Sequence, residues 1–294
     1  MTPEEIQRLS YQKAVKLEKL IDEVEKRIDK ASTQLSKIML KHFLQKLTIE
    51  QGKVIAQFNQ QTVLLFNKAF KIYQETTKAS LVKYIVGDIN TILNENDNYY
   101  RKTAPGYDID KSDMKALLDR RLGIAKDGTL LKNGYMSGLL DDSAIRAEVQ
   151  RFVFKEIFKA SGFEAFKEGL RQFIEGEKGK YGAFQRYYRG FSYDAYAQLN
   201  SFTSGEYANR LGMHHFIYNG GLIETSRKFC IERNGNVYST EEAEEWKNDK
   251  DLEAIESRES YNWLIDRGGY NCRHSIDFIA PEIAYALRPE LKDE

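Results

Sequence analysis

Two short segments near the C-terminal end of this 294-residue chain concentrate the residue types that can do chemistry. The first segment holds Thr225, Arg227, Cys230, Asn234 and Gly235. The second holds Cys272, Arg273 and His274. These segments contain both cysteines of the protein. Thiolates and imidazoles ligate transition metals, and guanidinium groups pair with phosphates or carboxylates.

A metal site is one interpretation of these residues. If both segments are paired β-strands, Cys230 approaches Cys272 and His274, which share a face because strand side chains alternate. His214 or His215 could then supply a fourth ligand. In structural zinc sites the ligands usually come in closely spaced pairs such as Cys-x-x-Cys, and this chain contains no such pair. We therefore expect no cofactor, and zinc on Cys230, Cys272 and His274 is the alternative. A disulfide between the cysteines, or two buried thiols in the core, also remain open.

Our first interpretation of the two arginines near the cysteines is that they have a structural role. A guanidinium beside a strand commonly bonds backbone carbonyls or a carboxylate. Cysteine–histidine catalysis requires an exposed thiolate of low pKa with a base in reach, and no nucleophile signature marks one here. The sequence also contains no glycine-rich loop that would hold a nucleotide phosphate. We expect no catalytic residues, and a nuclease or transferase that uses Arg227 and His274 is the alternative.

The elements that position these segments are predicted to be mainly helical. No glycine or proline occurs between Glu4 and Gln51. Apolar or small residues recur with a seven-residue period at Ala14, Ile21, Ile28 and Leu35, and at Leu17, Val24, Ala31 and Ile38. Gly52 interrupts this pattern, and a second helical stretch follows through Ile55, Phe58, Leu65, Ala69, Tyr73, Leu81, Ile85, Ile89 and Ile92. The pattern predicts a long antiparallel hairpin over residues 1–95 with a coiled-coil-like seam. Packing of the seam within the chain is favoured over self-association.

A polar stretch over residues 94–111 predicts a linker to a central helical body, residues 96–212. Within that body, basic and aromatic residues alternate from Lys178 to Gly190. Such a pattern can bind a phosphate backbone and stack on bases. The candidate nucleic-acid contacts are Lys178, Lys180, Arg186, Tyr187, Tyr188 and Arg189. The favoured interpretation is that the aromatic rings fill a core while the basic groups stay at the surface.

Residues 213–294 are predicted to form a small α+β module. Strands are expected at Phe216–Tyr218, at Thr225–Arg233 and at Cys272–Ile279, with a hairpin turn at Asn234-Gly235. Ser239 to Glu242 has the spacing of a helix-capping box. The predicted fold class is therefore mainly α, with a long N-terminal helical hairpin, a central helical body and a terminal β-hairpin or sheet module.

The overall charge excludes some classes of function. The formal net charge is zero, with 11 basic and 18 acidic side chains in residues 201–294. A dedicated DNA-binding protein would show a strong basic excess. No apolar run is long enough to span a bilayer and no secretory signal begins the chain, so we expect folding in a cytoplasm without membrane contact.

The run Tyr218–Tyr238, followed by Trp246 and Gly269–His274, resembles the C-terminal domain of the phage Mu F-like minor head proteins. The positions that match the family pattern are Thr225, Arg227, Cys230, Asn234, Gly235, Cys272, Arg273 and His274. A preceding helix with Asp194, Phe202 and Arg210 also has a counterpart in such proteins. The chain departs from the pattern by ending the last motif in histidine and by lacking a Cys-x-x-Cys after Arg227.

The resemblance implies a head-morphogenesis protein of a tailed bacteriophage. It would be made in the host cytoplasm and incorporated into the virion, at the portal vertex or in the capsid interior. Its expected partners are the portal protein, the major capsid protein and packaged double-stranded DNA. A coiled-coil scaffolding or adaptor protein that self-associates through its N-terminal helices is a further alternative.

Overall fold

The computed structural model describes residues 1–57 and 59–292, and for residues 189–194 it describes the backbone alone. Phe58 and the side chains of Arg189 and Asp194 therefore lie outside the described residues. Helices account for 65% of the chain and strands for 8%, with the longer strands near the C-terminus. The prediction of a mainly α chain with a small C-terminal β-containing module is confirmed.

Twelve α-helices and seven β-strands occur in the described part of the chain. The helices are α1 (Pro3–His42), α2 (Gln60–Tyr73), α3 (Ala79–Thr103), α4 (Lys111–Leu122), α5 (Tyr135–Leu139), α6 (Ser143–Phe158), α7 (Phe163–Glu175), α8 (Ala183–Leu211), α9 (Lys228–Arg233), α10 (Thr240–Glu244), α11 (Trp263–Asp266) and α12 (Pro281–Leu287). The strands are β1 (Ile49–Glu50), β2 (Lys53–Val54), β3 (Gly176–Glu177), β4 (Lys180–Tyr181), β5 (His215–Asn219), β6 (Val237–Ser239) and β7 (Ser275–Ile279).

The chain divides into two compact units, each assembled from separate segments. Unit 1 comprises Met1–Asp22, Gly87–Leu122 and Tyr193–Glu294, and unit 2 comprises Glu23–Val86 and Gly123–Ser192. Helices α1, α3 and α8 each supply residues to both units. This division follows contacts between distant segments, so it differs from the three consecutive ranges 1–95, 96–212 and 213–294.

Helices α1 and α3 contact each other in both units. In unit 1, Lys16 Nζ lies 2.7 Å from Glu95 Oε2. In unit 2, the Arg27 guanidinium lies 4.8 Å from the centre of the Tyr84 ring. Of the eight predicted seam residues, all but the half-buried Ile38 are buried. Both predicted helical stretches are confirmed, the first as α1 and the second as α2 and α3, and the seam of α1 is packed inside the chain. The break at Gly52 is also confirmed, because Gln51 and Gly52 form the left-handed turn between β1 and β2 (φ 48° and 73°).

The linker predicted over residues 94–111 is wrong in its first half, where α3 continues to Thr103. Two of the polar side chains there, Asn96 and Asp97, are buried and bonded within unit 1. Asn96 Nδ2 donates to Asn200 Oδ1 at 2.9 Å, and the Tyr107 hydroxyl donates to Asp97 Oδ1 at 2.5 Å. The polar residues at these positions are therefore hydrogen-bond partners inside the fold and do not form a linker. A buried polar group is stable once it is paired.

The C-terminal sheet has the antiparallel order β6-β5-β7, with β5 in the centre. The predicted strand Phe216–Tyr218 is confirmed as the middle of β5. One apolar cluster of unit 1 combines sheet residues with the start of α1 and the end of the chain. Its members are Ile6, Ile217, Val237, Ile279, Ala284 and Leu291.

The predicted strand Thr225–Arg233 and its Asn234-Gly235 hairpin are wrong. Residues 228–233 form α9, with the Cys230 amide donating to the Arg227 carbonyl at 3.0 Å. Gly235, at φ 81°, follows the end of α9 and donates its N–H to the Tyr218 carbonyl at 2.7 Å. The Asn-Gly pair thus ends a helix, a position where a glycine with positive φ is common. The capping box at Ser239 and Glu242 is confirmed.

Candidate functional site

Cys230, Cys272 and His274 meet in unit 1. The two sulfur atoms are 3.8 Å apart, and Cys272 Sγ lies 3.8 Å from His274 Nδ1. The three ligand atoms lie within 4.8 Å of one another. All three residues are 2–3% exposed. The predicted convergence is therefore confirmed, although it arises from a helix and a loop in place of two paired strands.

Three local features place these side chains. Cys230 lies in the first turn of α9, where its neighbour Phe229 packs against Trp246 with ring centres 5.5 Å apart. Cys272 follows a turn in which its amide donates to the Gly269 carbonyl at 3.1 Å. His274 immediately precedes β7, so Cys272 and His274 stand before the strand that was predicted to contain them.

Tyr218 of β5 completes the cluster. Its hydroxyl oxygen lies 3.5 Å from Cys230 Sγ and 3.3 Å from Cys272 Sγ. Its ring stacks on the His274 ring, with centres 4.9 Å apart and planes inclined by 12°. Burial raises the pKa of Tyr218 well above its ordinary value. Tyr218 is a residue of the cluster that the sequence motifs do not indicate. The period-two alternation of β5 could have suggested it, because Tyr218 shares a face with Phe216.

Gly268 forms one wall of the cluster. A Cβ atom at this position would overlap Cys230 Sγ and would stand 3.1 Å from the Tyr218 hydroxyl. Gly220 plays a similar part beside His274, since a Cβ atom there would stand 2.7 Å from His274 Cα. Both glycines permit a close backbone approach that any other residue would block.

The surroundings shift the pKa values of the two thiols in opposite directions. The hydrogen bond from Cys230 lowers the pKa of Cys272 well below its ordinary value against the effect of burial, and His274 and Arg267 add to the decrease. The same hydrogen bond and burial raise the pKa of Cys230. The two shifts are opposite because two adjacent buried thiolates would repel each other, so loss of the proton from one thiol disfavours its loss from the other.

The two arginines of the motif have the structural roles expected for them. Arg227 donates to the Gly268 carbonyl at 3.0 Å and to the Tyr270 carbonyl at 2.7 Å. Arg273 Nη1 lies 3.8 Å from Glu18 Oε1 on α1. Arg227 thereby fastens the start of α9 to the loop that carries Gly268.

The remaining motif residues lie around the cluster without joining it. Thr225 is exposed in the turn that precedes Arg227. Asn234 Oδ1 accepts the Gly220 N–H at 3.0 Å, and Gly235 contacts Tyr218 as described above. These contacts hold the backbone on which the cluster is built.

Neither histidine predicted as a fourth ligand belongs to the cluster, so that part of the interpretation is wrong. His214 is exposed. His215 pairs with Ser239 and Ile279 at the start of β5, and its ring packs on Tyr285. Cys230, Cys272 and His274 are the one group of three potential metal ligands found among the described residues. Both cysteines are free thiols in this structure.

The basic and aromatic segment lies in unit 2 and is divided between core and surface. Phe184 and Tyr188 are buried and pack together with ring centres 4.8 Å apart. Tyr188 was a candidate for stacking on bases, and that prediction is wrong because its ring fills the core. Tyr187 is half-buried, and its hydroxyl donates to the Asp141 carbonyl. Lys178, Lys180 and Arg186 are exposed, and Arg186 lies 3.5 Å from Glu148. The Arg189 side chain lies outside the described residues.

Comparison of the chain with protein-family models, with curated proteins and with solved structures finds no match. The resemblance to the Mu F-like proteins therefore rests on the motif residues alone. Among the described helices, none combines the length and the apolar character needed to cross a bilayer.

Proposed function

We propose that this chain is a structural minor head protein of a tailed bacteriophage. It binds the portal protein and the major capsid protein during head assembly, packaging or ejection, and it touches packaged double-stranded DNA. In this proposal it resides in the virion, at the portal vertex or in the capsid interior. It acts by binding, without turnover of a substrate.

One observation carries the proposal: the residues that match the Mu F-like pattern converge in a single module. Cys230 and Cys272 are 42 positions apart in sequence and 3.8 Å apart in space. Arg227, from the same pattern, bonds the loop that carries Gly268. A pattern whose members contact one another in three dimensions is better explained by a common module than by chance spacing.

The geometry of Arg227 and His274 favours binding over catalysis. Two nitrogens of the Arg227 guanidinium are engaged by backbone carbonyls, and His274 is 2% exposed. A general base must come within hydrogen-bond reach of its substrate. A nuclease or transferase that used these two side chains would have to open the module first.

The surface of the module offers contacts for a protein partner. Four of its large apolar side chains are about half exposed: Leu222, Ile223, Ile231 and Tyr270. Exposed apolar and aromatic side chains are typical anchors at protein interfaces. Contact with DNA is assigned to Lys178, Lys180 and Arg186, whose charged groups reach solvent.

Quantitative mass spectrometry of purified particles of the phage that encodes this chain tests the proposal. We expect the chain in every preparation, at a small fraction of the copy number of the major capsid protein. Co-expression with the portal protein tests the contact directly, and Ile231→Glu should weaken co-purification. Ile55→Glu, at an exposed apolar position of unit 2, is the matched control. Particles that lack the chain would refute the proposal.

A further inference from the structure

The cluster around Cys230 and Cys272 has the dimensions of a metal site. Zinc binds thiolate sulfur at about 2.3 Å and imidazole nitrogen at about 2.0 Å, usually as a tetrahedron. With those bond lengths, two sulfurs on one zinc stand about 3.8 Å apart, and a sulfur and a nitrogen about 3.5 Å apart. The observed separations are 3.8 Å between the sulfurs and 3.8 Å from Cys272 Sγ to His274 Nδ1. The third pair, Cys230 and His274, lies within 4.8 Å, so a zinc ion requires these two side chains to approach by up to about 1.3 Å.

A fourth polar atom lies beside the two sulfurs. The Tyr218 hydroxyl oxygen is 3.5 Å and 3.3 Å from the two sulfurs. An oxygen ligand bound at about 2.0 Å would lie about 3.5 Å from each sulfur of the same tetrahedron. Tyr218 is on the central strand, where it pairs with Ile276 of β7 and its N–H donates to the Asn236 carbonyl at 3.0 Å, so its backbone is held on both sides.

The imidazole nitrogen beside the sulfurs is Nδ1. His274 is buried, and Nδ1 contacts Cys272 Sγ at 3.8 Å, where sulfur offers only a weak hydrogen bond. A buried polar group without strong bonds is costly. Coordination of Nδ1 to a cation held by the sulfurs would compensate for that cost.

We propose that Cys230, Cys272 and His274 bind one structural zinc ion, with the Tyr218 hydroxyl facing the fourth coordination position. Thiolate and imidazole together select zinc over the hard cations, which prefer oxygen ligands. Two thiolates also match the double positive charge of the ion. This assignment stands whether or not the chain is a phage protein, because it rests on the geometry of the cluster alone.

The ion would join three separate parts of the module. It would link α9, through Cys230, to the loop before β7, through Cys272 and His274, next to the central strand β5. The stretch between Asp249 and His274 contains a single four-residue helix, α11. A metal commonly holds together a small module that is rich in loops, and its binding free energy then becomes folding free energy. Because Gly268 has no side chain, this position does not block access of an ion to the sulfur of Cys230.

Metal analysis of the full chain, purified in reducing buffer without chelator, tests the proposal. We expect about one zinc per chain, as for a closed structural site. Cys230→Ser, Cys272→Ser and His274→Gln should each lower the zinc content severalfold. His214→Gln is the matched control, because His214 is exposed and outside the cluster, and it should keep the full content.

Cobalt substitution of the wild-type chain distinguishes this site from adventitious binding even where a variant fails to fold. Co²⁺ added to the reduced, metal-free chain should give the ligand-field bands of a tetrahedral ion and thiolate charge-transfer absorption. His274→Cys should retain the metal and strengthen that absorption, since it adds a third thiolate. Absence of the charge-transfer band in the wild-type chain would overturn the proposal. Zinc content unchanged in Cys272→Ser, or a Cys230–Cys272 disulfide in the chain as isolated before any reductant is added, would overturn it equally.

Discussion

The Nζ atom of Lys13 on the first helix lies 2.5 Å from Oδ1 of Asp277 on the last strand, and both side chains are buried. The second carboxylate oxygen of Asp277 accepts from the Ser10 hydroxyl at 2.6 Å. Ser10 Oγ in turn accepts from Asn219 Nδ2 of the central strand at 2.8 Å. The first turns of α1 are therefore part of the C-terminal sheet module, and residues 213–294 are completed by residues from the opposite end of the chain.

Replacing Lys13 with methionine should destabilise unit 1 strongly. The change leaves the Asp277 carboxylate buried without its cation, a loss of about 3–5 kcal/mol in unfolding free energy for a broken buried pair. Urea unfolding measures this loss. Lys16→Met is the matched control, because Lys16 and Glu95 form an exposed pair worth less than about 1 kcal/mol. Equal losses in the two variants would contradict the buried role of Lys13.

Two glycine substitutions should have opposite effects on stability. Gly268→Ala places a Cβ atom against Cys230 Sγ and should lower the unfolding free energy by about 1–3 kcal/mol through overpacking. Gly87→Ala, in the interior of α3 with no atom within 4 Å of the added Cβ, should raise it by about 0.5–1 kcal/mol. Thermal unfolding of both variants compares them directly. A stabilised Gly268→Ala chain would show that Gly268 does not line the cluster as described.

Contact with double-stranded DNA should depend on the exposed cations of the 178–190 segment. Replacing Lys178, Lys180 and Arg186 together with alanine should weaken binding in fluorescence anisotropy. The slope of the logarithm of the DNA-binding constant against the logarithm of the salt concentration is negative. Its magnitude should decrease by up to about 0.9 for each lost phosphate contact.

Tyr188→Ala serves as the contrast in that experiment. The buried ring should matter for folding, at about 3–5 kcal/mol for loss of a large aromatic side chain from a core. Its salt slope should stay unchanged under conditions where the variant is folded. Undiminished DNA binding by the triple variant would exclude these cations as the contact.

Substitution of a seam residue should unfold the chain without dissociating an oligomer. Val24 is fully buried within unit 2, so Val24→Asp places a charge in an apolar core. We expect loss of helical circular dichroism at lower temperature, while light scattering shows a monomer for the wild-type chain. Lys30→Asp, at an exposed position of α1, should leave both measurements unchanged. A wild-type oligomer that Val24→Asp converts to folded monomers would instead support the coiled-coil scaffold.

The parts of the fold that were predicted from sequence depend on local periodicity. The seven-residue repeat of α1 predicted both the helix and its buried face, and the short apolar run Phe216–Tyr218 before Asn219-Gly220-Gly221 predicted the central strand. The segment Thr225–Arg233 was assigned wrongly because it is short, and nine residues fit an extended or a helical period almost equally well. Packing of Phe229 against Trp246 and the close approach of Gly268 to Cys230 fix the helical form.

The amino-acid sequence by itself determined which residues could form a site: Cys230, Cys272 and His274 were identifiable from their types and neighbours. Only the tertiary structure decided what surrounds them and what holds them in place. Tyr218, Gly268 and the Lys13–Asp277 pair act through contacts between positions far apart in the chain, and no local pattern encodes such contacts. Side-chain chemistry is a property of each residue, whereas burial, pairing and close approach arise only when distant segments pack together.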